Sequence, residues 1–274
     1  MDGLEDDVGQ NIAVSDSMPE ISTTGIVQAT FILITLFIII VGNILIIISL
    51  LTKPSCNKES FSYYILSLAI NDLLTGFLIF PFCVYPAIFQ KRMYGDMLCR
   101  IEGYIGVTLW SITVYTFMWM AVDRYLAVKK PLRYDNIQTI TRCKCWVIVS
   151  WVTSILLCSP PVLAFSRVRY YHHAFICLPE FSDMLAYSVT LFILILGPST
   201  ITIIYSYFYI FKTMYICNRT QSNGQNNLLC GGSMKETLSG TKSHVEFYFD
   251  GGILVSLVAM DLSWSLRTIC STYN

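Results

Sequence analysis

Long apolar runs, separated by short polar stretches, follow one another along most of the chain. A helix needs roughly 20 apolar residues to cross a hydrocarbon core of about 30 Å, and several runs reach that length. The clearest is Gly25 to Leu51, GIVQATFILITLFIIIVGNILIIISLL. The pattern predicts five membrane spans, at residues 25–51, 61–89, 99–128, 145–165 and 184–214. The predicted fold is therefore an all-α, multi-pass membrane helix bundle.

Polar sequence flanks this predicted bundle on both sides. Residues 1–24 form an acidic N-terminus. Residues 215–274 combine a Gly-, Ser- and Asn-rich stretch, typical of a flexible linker, with an atypical C-terminal segment. The apolar part of that segment, Gly251 to Met260, has ten residues, too few to span a membrane alone. An incomplete sixth helix and an interfacial helix both fit it.

The composition supports a membrane protein and disfavours several function classes. The chain is 54% hydrophobic and only 13% charged, and its formal net charge is zero. Nothing in this balance favours nucleic acid as a partner. A Gly-rich phosphate loop, a Ser/His/Asp order and an HExxH motif, which would indicate an enzyme, are all absent from the sequence. We therefore predict a protein that is not an enzyme and that is embedded in the lipid bilayer.

Charges are sorted by their position relative to the predicted spans. The first 20 residues contain six acidic and no basic residues. Lys53 and Lys58 follow span one. Six basic residues lie between the ends of spans three and four: Arg124, Lys129, Lys130, Arg133, Arg142 and Lys144. The positive-inside rule then places the N-terminus outside and these loops in the cytoplasm.

Polar groups at three places in the apolar spans are costly in a membrane and need a reason. Asn43 lies in span one, Asn71 and Asp72 lie in span two, and Asp123 with Arg124 lies at the end of span three. Asn43 also suits a simple hydrogen bond between closely packed helices, and the Asp-Arg pair also suits an interfacial anchor. The Asp72 carboxyl must be protonated, paired or bound to a cation.

Seven short motifs occur in a fixed order along these spans. They are Gly42-Asn43, SLAINDLL around Asp72, Cys99 placed 25 residues before the arginine of Asp123-Arg124-Tyr125, VKKPLRY, Trp151 with Pro160-Pro161, Cys177, and Pro198. With these motifs the chain resembles the rhodopsin-like (class A) G-protein-coupled receptors over about residues 25–214. The resemblance implies a seven-transmembrane receptor in the plasma membrane, with a heterotrimeric G protein as its partner.

The resemblance also implies roles at the cytoplasmic end of span three. Asp123 and Arg124, followed by Tyr125, correspond to a switch: the carboxylate holds the guanidinium at rest, and release frees it for the G protein. Pro131 and Leu132 correspond to a loop knob that docks on the G protein.

Further matches imply roles within the bundle and at its outer surface. Asp72 corresponds to the carboxylate of a sodium and activation network, with Asn43 as its neighbour, so sodium is the one ion expected as an allosteric ligand. Cys99 and Cys177 correspond to the family's disulfide. Three residues correspond to helix-packing positions: Ser67, Trp151 and Pro198.

Residues in the outer half of span three are candidates to contact a ligand. Receptors for biogenic amines carry an aspartate 18 residues before the arginine, where this chain has Gly106, so an amine held by that ion pair is disfavoured. Glu102, one turn further out, is a candidate replacement, although solvation alone also explains it. The candidate ligand residues are Glu102, Gly106, Val107, Trp110 and Ser111, together with Phe192 and Ile193 on span five. They favour a largely apolar or neutral ligand, small molecule or peptide, and also suit ordinary bundle packing.

The C-terminal part departs from the family. The CWxP pattern of helix six and the NPxxY pattern of helix seven are not found before Asn274. We expect a receptor truncated after helix five, as a splice form, an incomplete gene model or a frame change after Tyr215 would produce. The alternative is a non-signalling interaction partner that retains a full-length receptor in the endoplasmic reticulum, and a receptor dimer is compatible with both. A channel or transporter is disfavoured because no internal pseudo-symmetry is evident.

Overall fold

A bundle of long helices makes up nearly all of the computed structural model, which describes residues 23–52, 61–89, 94–160, 168–171, 176–179 and 185–222. Five helical spans in these ranges are long and apolar enough to cross a membrane. The predicted all-α membrane bundle is confirmed. The predictions for the acidic N-terminus, and for the linker and C-terminal segment beyond residue 222, lie outside the described residues.

The described elements follow one another in a simple order. The helices are α1 (Thr23–Thr52), α2 (Ser62–Leu78), α3 (Phe80–Phe89), α4 (Asp96–Lys129), α5 (Tyr134–Ile137), α6 (Ile140–Cys158) and α7 (Leu185–Ser222). A 3₁₀ turn, Pro131–Arg133, precedes α5, and the strands β1 (Val168–Tyr171) and β2 (Ile176–Pro179) form an antiparallel pair. Helices α2 and α3 together form one membrane span.

The break between α2 and α3 follows from Pro81. A proline lacks an N–H, and its ring crowds the carbonyl four residues earlier, which here belongs to Phe77. The N–H of Ile79 still donates to the carbonyl of Thr75 at 3.0 Å, and the N–H of Phe82 then donates only three residues back, to Ile79, at 3.1 Å. The second span is therefore divided into two helices at this point rather than ended.

Helix α6 begins at Ile140, five residues before the predicted span, and ends at Cys158. The Oγ1 atom of Thr139 caps its first turn by accepting from the N–H of Arg142 at 3.4 Å. Pro160 follows shortly after its last residue, and a proline disfavours helical geometry in the residue before it. Hydropathy alone assigns the first turn of α6 to the loop, because that turn is polar and basic.

Helix α4 is the central element of the bundle, in contact with α2, α6, α7 and both strands. Asn71 on α2 donates from Nδ2 to the Oγ1 of Thr113 at 2.8 Å and to the carbonyl of Leu109 at 3.2 Å. Helix α1 packs on α2 and α3 at one side of the bundle, and many of its large apolar side chains are exposed, as expected of a helix that faces lipid.

Hydroxyl groups connect α4 to α6 at two levels. The Oγ atoms of Ser111 and Ser154 lie 3.0 Å apart in the buried interface. Further along, the Nε1 of Trp119 donates to the Oγ of Ser150 at 3.0 Å, and its ring stacks on Trp146 at 4.1 Å between centroids. In a membrane an interhelical hydrogen bond of this kind contributes about 0.6 to 2 kcal/mol.

A backbone carbonyl freed by Pro198 provides a further contact between α4 and α7. Pro198 lies inside α7 and has no N–H to donate to the carbonyl of Leu194, four residues earlier. The hydroxyl of Tyr115 on α4 donates to that carbonyl at 3.3 Å. The polar group exposed by the proline is therefore satisfied by the neighbouring helix, as a hydrocarbon environment requires.

We predict that Tyr115→Phe destabilises the bundle by about 1 kcal/mol, because the carbonyl of Leu194 loses its donor. Thermal unfolding of the chain in lipid nanodiscs, followed by tryptophan fluorescence, measures the effect. In a Pro198→Ala background the alanine N–H can donate to Leu194, so Tyr115→Phe should cost less there. An equal loss in both backgrounds would show that the tyrosine acts only through packing.

Candidate functional site

The end of α4 nearest Lys129, here called the inner end, holds a fully buried carboxylate. The side chain of Asp123 is 0% exposed and forms an ion pair with Arg124. The Nη2 and Nε of the guanidinium donate to Oδ2 of Asp123 at 2.7 and 3.1 Å. The hydroxyl of Tyr134 donates to Oδ1 at 2.9 Å. Both carboxylate oxygens therefore have partners, and the burial of the charge is compensated.

An aromatic ring also contacts the flat face of the Arg124 guanidinium. Its Cζ atom lies 3.9 Å from the centroid of the Phe61 ring, which precedes α2. A cation over an aromatic face is attracted by the ring quadrupole, by about 0.5 to 2 kcal/mol according to its exposure. The guanidinium is thus fixed between Asp123 on its own helix and an aromatic side chain at the start of α2.

Tyr134 connects this site to the segment that follows α4. Burial, and next the charge of Asp123, raise the pKa of the Tyr134 phenol above its ordinary range, so the hydroxyl keeps its proton and can donate. Close by, the Nε2 of Gln138 donates to the hydroxyl of Tyr64 on α2 at 3.1 Å. The short helix α5 is therefore joined to both α4 and α2.

Pro131 and Leu132 begin the 3₁₀ turn between α4 and α5. The side chain of Leu132 is 91% exposed. It lies away from the buried side chains that anchor the loop. A large apolar residue presented in this way is available to a partner.

Tyr125 faces a different neighbour from the other two residues of its motif. Its ring lies against α7, with centroids 5.0 Å from Tyr209 and 5.6 Å from Tyr205. The ammonium of Lys129 contacts the hydroxyl of Tyr125 and lies 5.8 Å from the ring of Tyr209. The structure therefore brings Asp123 and Arg124 together and places Tyr125 in the packing between α4 and α7.

The predicted partners in the middle of the bundle also meet. The side chain of Asn43 hydrogen-bonds the Asp72 carboxyl and donates from Nδ2 to the carbonyl of Ile39 at 2.9 Å. The Nε1 of Trp151 on α6 donates to the Oγ of Ser67 on α2 at 3.0 Å. Across the described residues there is no group of three or more His, Cys, Asp or Glu side chains that could hold a metal ion.

A disulfide joins the opposite, outer end of α4 to the hairpin. Cys99 and Cys177 are bonded, with Cα atoms 5.2 Å apart, and the predicted disulfide is confirmed. In the strand register Tyr170 is opposite Cys177. The N–H of Cys177 also donates to the buried carboxyl of Glu102, three residues along α4. The hairpin is therefore attached to α4 by a covalent bond and a hydrogen bond.

The candidate ligand residues lie on two sides of α4. Gly106 approaches the junction of α2 and α3, because a Cβ added there would lie 3.9 Å from the Cδ1 of Ile79. Trp110 turns towards α7 and meets Phe192 edge-on at 6.1 Å between centroids. Three further candidates differ: Val107 packs in the α4, α6 and α7 cluster, Ser111 bonds to α6, and Ile193 is mostly exposed.

Tyr134 and Phe61 are contacts of the site that the sequence does not single out. Tyr134 stands in the VKKPLRY motif but carries no charge, and Phe61 is one apolar residue among many. Their contacts with Asp123 and Arg124 depend on the return of the chain after α4, which no local pattern reveals.

Comparison with known proteins supplies the family. The family described as "7 transmembrane receptor (rhodopsin family)" matches residues 42–249, which is more than half of the chain. The chain belongs to the rhodopsin family of seven-transmembrane receptors. The members of this family are G-protein-coupled receptors, which are membrane proteins and not enzymes.

The receptor is similar to several curated relatives. It is 27% identical to the G-protein coupled receptor 52 of Mus musculus over 68% of this chain and 52% of that protein. It is 29% identical to the probable G-protein coupled receptor 21 of Mus musculus over 64% and 50%, and 33% identical to an octopamine receptor of Heliothis virescens over 60% and 36%. The chain thus spans about half, or less, of the length of these relatives.

We predict that Tyr134→Phe lowers the stability of the receptor by about 1 to 3 kcal/mol near neutral pH, because Oδ1 of Asp123 loses its donor. The raised pKa of Tyr134 means that its contribution is complete below the unfolded value of about 10 and declines as the pH rises above that value. The gap between the unfolding temperatures of the two forms should therefore narrow steadily as the pH rises above about 10. Tyr63→Phe on α2 is the matched control, and a gap that stays constant with pH would contradict the role of the hydroxyl.

Proposed function

We propose that this receptor passes an extracellular ligand signal to a heterotrimeric G protein through the inner end of α4. The observation that carries the proposal is the buried Asp123 carboxylate, held by Arg124 and Tyr134. In this arrangement the guanidinium is engaged inside the protein and cannot bind a partner. A ligand that binds a second arrangement of the bundle more tightly would shift the protein towards that arrangement and free the guanidinium. The protein would then act as a two-state switch.

Leu132 and Pro131 are the proposed docking knob for the G protein. The exposure of Leu132 supports this role, because an apolar side chain at the tip of a rigid turn gains free energy when a partner removes it from water. Tyr134, bonded to Asp123, lies two residues further on. Docking at the turn and release of the ion pair are thereby mechanically connected.

The proposed ligand has a largely apolar or neutral body. Gly106, Val107 and Trp110 provide uncharged surface on α4, and Phe192 extends it onto α7. Ser111 is occupied by its bond to Ser154, so it offers the ligand little hydrogen bonding. Such a surface favours apolar contact over ion pairing.

Asp72 is the proposed site of an allosteric sodium ion. The Asp72 carboxyl shares a hydrogen bond with Asn43, and both supply oxygen atoms, the ligand type that hard cations prefer. A single carboxylate matches a monovalent ion better than a divalent one. Asp72 and Asn43 would hold the ion between α1 and α2, and the ion would supply positive charge that keeps the carboxylate ionised within the bundle.

For its location, we propose the plasma membrane with the N-terminus outside, on the basis of the acidic leader and the basic loops. The outer end of α4 then lies in the oxidising compartment, where a disulfide such as Cys99–Cys177 persists. The comparisons do not favour the alternative of a non-signalling interaction partner.

We predict that Arg124→Ala reduces basal nucleotide exchange on the G protein to the level of cells without the receptor, because the guanidinium is the group that meets the partner. A panel of G-protein biosensors in cells with matched surface expression provides the measurement. Lys144→Ala removes an exposed cation on α6 and should leave exchange unchanged. Unchanged exchange in Arg124→Ala would exclude the switch role.

The same assay tests the docking knob with Leu132→Asp. Because Leu132 is 91% exposed, its replacement should change the free energy of unfolding by no more than about 0.5 kcal/mol while exchange falls. Normal exchange in Leu132→Asp would place the docking surface elsewhere.

We predict that sodium chloride raises the unfolding temperature of the receptor relative to equimolar potassium chloride, because an ion that binds only the folded state stabilises it. Asp72→Asn should abolish this difference. Asp135→Asn, which neutralises an exposed carboxylate outside the spans, should preserve it. A sodium effect that survives in Asp72→Asn would refute the site.

A further inference from the structure

Helix α5, which follows the docking knob at Pro131 and Leu132, is too short to hold its own position. It has four residues, Tyr134–Ile137, far fewer than a helix needs to be stable in isolation. At its end the N–H of Gln138 donates to the carbonyl of Tyr134 at 2.8 Å, which closes a single turn. The position of the knob relative to the bundle therefore depends on side chains that connect this turn to the longer helices.

The side chain of Gln138, directly after α5, provides such a connection to α2. It is 6% exposed, and its Nε2 donates to the hydroxyl of Tyr64 at 3.1 Å. A buried amide or hydroxyl that loses its partner is costly. This hydrogen bond therefore holds the end of α5 against the start of α2.

Tyr64 is itself fixed by three helices. Its side chain is fully buried, in a cluster that includes Met120 on α4 and Cys143 on α6. Its hydroxyl also shares a hydrogen bond with the Cys143 thiol. A phenol hydroxyl both donates and accepts, so it can bond the amide and the thiol at the same time. Because a closely packed side chain has little freedom to move, the Tyr64 hydroxyl is a fixed support for α5.

The same turn of α2 also contacts the switch arginine. Phe61 precedes Tyr64 by three residues, so the two rings lie on one side of the helix, and both belong to the same buried cluster. The Cζ atom of Arg124 lies 3.9 Å from the centroid of the Phe61 ring. A displacement of the start of α2 would therefore act on Arg124 through Phe61 and on α5 through Tyr64.

We propose that Tyr64 is a positioning residue for G-protein docking, which holds α5 and with it the knob at Leu132 in place. The inference rests on the proposed docking function and adds a residue that is 0% exposed and therefore does not touch the partner. A fixed knob raises the fraction of molecules that are ready to bind, and so the apparent affinity for the G protein. The step that follows docking does not depend on Tyr64.

The test measures nucleotide exchange while a purified heterotrimeric G protein, the one that responds in the biosensor panel, is titrated against the full chain in nanodiscs. Tyr64→Phe removes the hydroxyl and keeps the buried ring, and Gln138→Leu removes the amide with little change in size. Each should raise the G-protein concentration at half-maximal exchange by about three- to tenfold, with the maximal rate unchanged. Tyr63→Phe, which removes a hydroxyl from the neighbouring residue of α2, should change neither value.

Two further measurements separate positioning from a general loss of stability. In Tyr64→Phe, deuterium exchange of the backbone amides of residues 131–138 should become faster, while that of α4 stays unchanged. The double variant Tyr64→Phe/Gln138→Leu leaves neither group buried without a partner, so its half-maximal concentration should not exceed that of the weaker single variant. Additive effects, or a lower maximal rate at an unchanged half-maximal concentration, would overturn the proposal.

The docking variant Leu132→Asp separates this inference from the proposed function. Weaker docking in Leu132→Asp together with normal docking in Tyr64→Phe would refute the positioning role alone. Normal docking in Leu132→Asp together with weaker docking in Tyr64→Phe would refute the knob alone, since another part of α5 would then meet the G protein. Normal docking in both variants would refute both.

Discussion

The requirement that polar groups inside a membrane find partners within the protein governs this structure. Hydrocarbon offers no hydrogen bonds, so the amides, hydroxyls and carbonyls of the bundle must find partners within the protein, in their own helix or in a neighbouring one. Helix α4 provides several of these partners. It accepts a hydrogen bond from Asn71 on α2 and shares one with Ser154 on α6, and its Tyr115 donates a hydrogen bond to α7. Its polar side chains thereby determine which helices are its neighbours and at what level they meet.

The sequence predicts the bundle well because apolar length is a local property. The five spans and the disulfide expected from the sequence are found in the structure, which also brings Ser67 and Trp151 together. Features that depend on helix caps or on the return of the chain are not predicted: α6 begins early, at Ile140 with Thr139 as its cap, and Tyr134 donates to Asp123. These features arise from polar turns that hydropathy assigns to loops and from contacts between segments far apart in sequence.

The two ends of α4 treat a buried acid in different ways. At the inner end, Asp123 receives donors on both oxygens, from a cation and a phenol. At the outer end, the Glu102 carboxyl receives one backbone donor, and Oε1 stays without a partner among the described residues. The first arrangement satisfies both oxygens of its carboxylate, whereas the second leaves one acceptor without a donor in the described part of the chain.

The Asp123–Arg124 ion pair joins neighbouring residues of one helix, and this has a mechanical consequence. A bond within a single helix cannot restrain the distance between helices, however strong it is. The restraint comes instead from Tyr134, which ties the carboxylate to α5, and from Phe61, which covers the guanidinium at the start of α2. In the proposed switch, these two aromatic side chains would therefore set how readily the arginine is freed, and sequence changes around them would alter that threshold.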